Sequence, residues 1–169
     1  IAYELAQLMG KLSITLPLHL FLSAFPAPGL LARPAPIHHL SDSEFKAAIA
    51  SFNGTPQEVL DDDALMSVIL PYLRADFKMV ETYTHQHNSR LPVPISVYGG
   101  KDDYITRNNL AKWKDNTLMS WQLHMFTGGH FYLSSSSEFH QVMNRELIRL
   151  MAQVDNSVEI LSRPESAFM

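Results

Sequence analysis

The chain contains no cysteine. That excludes a disulfide framework, a thiolate metal site and a cysteine nucleophile, and it fits a reducing compartment. Basic clusters are missing too. Lys and Arg number 13 against 17 Asp and Glu, a net charge of −4, so the electrostatic footprint of a nucleic-acid partner is absent. No apolar run is long enough to span a bilayer, and no membrane contact is expected. The nearest run, 14–32, is broken by Pro17, His19, Pro26 and Pro28. A basic leader is lacking: Glu4 stands early and the first residue is Ile1, so the chain reads as cut from something longer. Finally, no G-x-S-x-G occurs, the sharp turn that would present a nucleophilic serine.

What is present suits one domain. Hydrophobic residues make up 46% of the 169 and charged residues 18%, enough to bury a core. IAYELAQLMG has apolar residues at helical spacing, with Gly10 as the expected stop. LPLHLFLSAF (16–25) reads as a buried strand followed by a proline-rich loop. Ser41 and Glu44 have the spacing of a capping box, and Gly54 follows the helix they begin. Thr55 and Glu58 repeat the device, with Pro56 at the first helical position. Helical pattern continues on both sides of Pro71, which should break or kink it. Residues 41–87 are thus a helical insertion.

Two further strands each end in paired glycines. VPISVYGG (93–100) leads into KDDYI, and WQLHMFTGG (121–129) leads into His130. The helical segment TRNNLAKWKDN lies between them. Ser135 and Glu138 cap a final helix, and the tail from Asn156 has no clear period. Strands alternating with helices predict an α/β fold, a parallel sheet with flanking helices.

The paired glycines raise a chemical question. A right-handed crossover makes the two strands parallel and neighbouring, so both loops emerge at the carboxyl edge, where open α/β sheets place their sites. Neighbouring strands lie about 5 Å apart. A carboxylate on one loop and the imidazole of His130 on the other then come within reach. Such a pair orients a base and stabilises its protonated form. On spacing, Asp102 and Asp103 compete for the acid's place. Other clusters are weaker. His85 and His87 have no evident third ligand, so no metal is expected, and no cofactor is implied. The acidic run Asp61 to Asp63 matches a solvated helix start.

Five stretches carry a resemblance: IAYELAQ, LFLSAFPAP, LRADFKMVETY, PISVYGGKDDYITRNNLAKWKDNT and FTGGHFYL. In order and spacing the sequence resembles the type II thioesterases of non-ribosomal peptide and polyketide synthesis, which are α/β-hydrolases. The resemblance covers nearly the whole chain. It implies that residues 1–169 are a single, partial α/β-hydrolase domain with a helical lid at about 37–88. It implies Asp103 as triad acid, from its place in GGKDD, and His130 as triad base, from GGHF. The nucleophile elbow, which in the family directly precedes IAYELAQ, is absent from these residues. Phe45, Ile49, Phe52 and Leu60 of the lid are candidates to line an acyl chamber, although packing on the core would look the same.

The implied activity is hydrolysis of acyl groups from the phosphopantetheine arm of acyl or peptidyl carrier proteins, an editing role in the cytoplasm. Without the serine the 169 residues are expected to be inactive. The unpaired side of strand 16–25 is expected to promote association. Two alternatives stay open: a non-catalytic module that binds carrier proteins, and an esterase of the same fold.

Overall fold

The computed structural model describes residues 1–30, 35–52, 54–85 and 89–162. The chain divides into two compact units, Ile1–Tyr132 and Leu133–Met169.

The first unit is built on a three-stranded parallel sheet in the order β1 (Leu20–Ser23), β2 (Ile95–Gly100), β3 (Trp121–Phe126). Its two faces differ because alternate residues point to opposite sides. Leu20, Leu22, Ile95, Val97, Leu123 and Met125 form an aliphatic face. Tyr3 and Ala6 of helix α1 (Ala2–Lys11) pack there, with Leu110 of α5 (Arg107–Ala111) and Trp113 of the 3₁₀ turn Lys112–Asn116. The other face carries aromatic rings. Tyr98 of β2 stacks on Phe21 of β1 at 6.2 Å and on His124 of β3 at 5.5 Å. On the same face His19 Nε2 lies 2.8 Å from Ser96 Oγ.

Local chemistry explains most element ends. Helix α1 runs through Gly10 rather than stopping there. Ser13 N–H donates to the Gly10 carbonyl and Ile14 N–H to the Met9 carbonyl, with Ser13 at φ 55°. That is a Schellman ending, with serine where glycine is usual. Strand β1 is shorter than 16–25 because Ala24, at φ 47°, turns the chain out of the extended conformation.

Three helices lie between β1 and β2: α2 (Asp42–Ser51), α3 (Gln57–Asp61) and α4 (Asp63–Glu81). The Ser41–Glu44 capping box is present at α2. Pro56 is extended (ψ 144°) and so precedes α3, one place before the expected first helical position, and α3 has no side-chain cap bond. Asp62 Oδ1 instead caps α4 by accepting from Leu65 N–H at 2.9 Å. Pro71 does not break α4. The carbonyl deprived of its partner belongs to Ser67, and both residues are on the exposed side of the helix, where solvent can take the place of the lost donor. The three helices share an apolar cluster of their own: Phe45, Ile49, Leu60, Met66 and Leu70. At their base Glu81 accepts from Ile37 N–H at 2.9 Å and faces His38 Nδ1 at 2.7 Å, while Arg74 donates to the carbonyls of His38 and Leu40.

After β2, α5 is capped by Thr106 and Asn109 and passes into the 3₁₀ turn, so TRNNLAKWKDN is only half α-helical. A short helix α6 (Tyr132–Ser135) follows β3. In the second unit α7 runs from Ser137 to Ser162, past the Asn156 expected to end its order. Ser136 rather than Ser135 caps it, its Oγ accepting from Phe139 N–H at 3.1 Å. Among the described residues no helix is long and apolar enough to cross a membrane.

Candidate active site

The site begins with a backbone contact. Strands β2 and β3 pair through to Gly100 and Phe126, so their loops leave the sheet side by side. Lys101 N–H donates to the Phe126 carbonyl at 2.8 Å, and Asp102 N–H to the Gly128 carbonyl at 3.0 Å. The loops touch so closely that a Cβ on Gly100 would lie 2.2 Å from the Gly129 carbonyl oxygen. Gly128, at φ +112°, makes the turn that brings the second loop back.

That approach sets the side chains. His130 Nδ1 lies 2.9 Å from Asp103 Oδ2. The other carboxylate oxygen of Asp103 accepts from Ile105 N–H at 3.2 Å. The Asp103 side chain is 0% exposed, whereas that of His130 is 28% exposed. A carboxylate held through both oxygens has little freedom, and it fixes the proton on Nδ1 of its partner. Nε2 is then left as the basic nitrogen. Asp102 is exposed. The structure therefore brings Asp103, not Asp102, to the imidazole.

Around this pair lie residues that sequence spacing did not single out. Tyr132 is 1% exposed, and its hydroxyl is 2.7 Å from Ser23 Oγ at the end of β1. Its ring stacks on Phe126 at 5.4 Å. Burial, with the charge of Asp103 nearby and against the hydrogen bond to Ser23, pushes the phenol up to about 12. Tyr104 stacks on His130 at 5.4 Å and 23°. The only sequence signal for these two was adjacency to Asp103 and His130. A cavity of about 290 Å³ adjoins Asp103, lined by Gly100, Lys101, Ile105, Thr106 and Arg107 among others.

The four candidate lining residues separate. Phe45, Ile49 and Leu60 are buried in the cluster that α2, α3 and α4 share. Phe52, the C-cap of α2, instead lies 6.2 Å from the Tyr104 ring, beside the site. Among the described residues no group of three or more His, Asp or Glu side chains converges to hold a metal. His87 lies outside the described residues. His85 Nδ1 is 2.7 Å from Glu4 Oε1.

A buried carboxylate paired with a half-exposed imidazole can take a proton from a hydroxyl and return it to a leaving group. Comparison with known proteins gives the family. Residues 1–146 match the family model of the thioesterase domain. The chain is 35% identical over 154 residues to the gramicidin S biosynthesis protein GrsT of Aneurinibacillus migulanus, covering 90% of the chain and 60% of that protein. It is 34% identical over 145 residues to the thioesterase PikA5 of Streptomyces venezuelae, covering 85% and 50%. Among solved structures, the type II thioesterase BorB from the borrelidin biosynthetic cluster superimposes with a TM-score of 0.73 at 32% identity, covering 86% of the chain and 60% of BorB. The chain thus spans between half and three-fifths of the length of these relatives. The sheet with its flanking helices is of the α/β-hydrolase kind, and with the match running from Ile1 through both loops of the site, the chain belongs to the thioesterase family and resembles its type II members.

Proposed function

We propose that this chain supplies the acid–base half of a cytoplasmic type II thioesterase that frees carrier proteins from acyl groups held on the phosphopantetheine arm. One observation carries the reading: the His130–Asp103 pair stands at the carboxyl edge of a sheet whose sequence matches the thioesterase domain.

In this reading a serine hydroxyl supplied from outside the 169 residues attacks the thioester carbonyl. His130 takes the hydroxyl proton on Nε2 and Asp103 stabilises the imidazolium. The carbon–sulfur bond breaks, and the imidazolium returns its proton to the departing thiolate. An acyl-serine remains. His130 next deprotonates a water, whose oxygen attacks the ester. The acid leaves as the serine takes its proton back. The 169-residue chain alone carries the proton relay without the nucleophile and is expected to be inactive.

The test joins the chain, upstream of Ile1, to the nucleophile-bearing segment of a type II thioesterase and measures acid release from acyl-loaded carrier protein. His130→Ala should lower turnover by roughly six orders of magnitude, as loss of a triad base does. Asp103→Asn should also lower it strongly, whereas Asp102→Asn should change little. Turnover that survives His130→Ala, or a preference for simple oxygen esters over the carrier thioester, would overturn the proposal.

A further inference from the structure

The hydrogen bond to Asp103 fixes one atom of the His130 ring, and one atom does not fix a plane. The torsion that turns an imidazole about its Cβ–Cγ bond is broad and roughly two-fold. A base must aim its free nitrogen at the proton it takes, so a second restraint on the ring is needed. Among the described residues two rings meet the imidazole. Tyr104 stacks on it at 5.4 Å and 23°, and Phe131 meets it edge-on at 5.2 Å and 84°.

Neither ring stands alone. Phe52, at the end of α2, lies 6.2 Å from Tyr104. Phe77 of α4 stacks on Phe52 at 5.9 Å, and Phe45 meets Phe77 edge-on at 5.5 Å. Phe45 is 0% exposed and belongs to the core of the helical layer. A line of aromatic contacts therefore runs from that core to the imidazole. A separate contact supports it: a Cβ on Gly54 would lie 2.2 Å from the Phe131 ring, so the turn after α2 sits directly on the residue next to His130.

We infer that Tyr104 is a positioning residue that sets the ring plane of His130, and that Phe52 makes the placement of the helical layer part of that setting. Tyr104 thus aims the base. The hydroxyl of Tyr104 has no part in this, so phenylalanine should serve as well.

The ring-plane statement does not depend on the thioesterase reading; only its kinetic consequence rests on that reading. The experiment therefore has two arms. In the first, the imidazole of His130 is followed by NMR in the 169-residue chain, through its ring nitrogen shifts and linewidths. Tyr104→Ala should broaden the ring signals and move the shifts. Tyr104→Phe should restore both. Phe52→Leu, which keeps the apolar bulk, should give an intermediate change. Circular dichroism identifies any variant that has lost its fold. Tyr104 is 42% exposed, so truncation there leaves the core in place. In the second arm, the same changes enter the protein carrying the serine segment. Tyr104→Ala should lower kcat roughly ten- to a hundredfold with KM little changed, and Tyr104→Phe should stay within about twofold of the parent. Unaltered imidazole signals in a folded Tyr104→Ala chain overturn the inference whatever the activity. A parent with no thioesterase activity but with the expected NMR response overturns the functional reading instead.

Discussion

The backbone of Gly100 lies against the carbonyl oxygen of Gly129, with no room for a Cβ between them. This contact between two loops is what lets a carboxylate on one and an imidazole on the other reach bonding distance.

Gly100→Ala should therefore force the loops apart. Overpacking of this kind costs about 1–3 kcal/mol, readable as a lower midpoint in urea. The same variant should lose the ordered His130 Nδ1–H signal. A variant as stable as the parent, with that signal intact, would show that the loops yield more easily than the contact implies.

At the end of α1 the gain runs the other way. Ser13 holds φ 55° in a helix ending suited to glycine. A non-glycine residue in that region carries roughly 1–2 kcal/mol of strain, partly offset by glycine's larger entropy loss on folding. Ser13→Gly is expected to stabilise the chain by about 0.5–1 kcal/mol. Differential calorimetry at one pH checks it, and a lower Tm would contradict it.

Glu81 links stability to pH. Burial by itself would raise its carboxyl. The Ile37 N–H, the His38 ring and the His38 N–H outweigh that, and the group stays below its ordinary value of 4.5. A lowered value means the folded state favours the carboxylate. The contribution is thus complete above about pH 4.5 and is lost as the pH falls through the lowered folded value. Glu81→Gln should cost about 1–3 kcal/mol at pH 7, and the difference from the parent should shrink steadily in acid. Denaturation curves at a series of pH values from 7 to 3 give the comparison. A gap that stays constant with pH would show that charge is not the source.

Tyr132→Phe removes the hydroxyl bonded to Ser23 while keeping the stacked ring. The loss should be about 1 kcal/mol near neutrality. Because the phenol is pushed up to about 12 from 10.0, the unfolded chain ionises first in alkali, and the parent loses stability from about pH 10 to about pH 12. The phenylalanine variant should lack that part of the alkaline fall. Parallel alkaline falls for the two proteins would place the raised group elsewhere.

The sequence made some of this legible and hid the rest, for physical reasons. The β-α-β unit was legible because PISVYGG and WQLHMFTGG each put apolar residues into a strand and close it with glycines. The Ser41–Glu44 box was legible because it is local. Spacing left Asp102 and Asp103 equal; the choice depends on the loop turning so that Asp103 Oδ1 meets Ile105 N–H. The Ser23–Tyr132 bond joins residues far apart in the chain, and the Tyr104–His130 stack joins two loops; neither leaves a periodic trace. Pro71 misled because proline is costly inside a helix, yet here Pro71 and Ser67, whose carbonyl it orphans, are both exposed. Gly10 misled because the ending of α1 is made three residues later by Ser13.

The helical layer between β1 and β2 keeps its own core, distinct from the one under the sheet. Residues in separate clusters contribute to stability almost independently. Leu60 or Leu70 can thus be exchanged for side chains of other shapes while the pairing of β2 with β3 stays as it is. The layer behaves as a replaceable cassette with one fixed point of attachment: its interior can diverge so long as the contact of Phe52 with Tyr104 is kept.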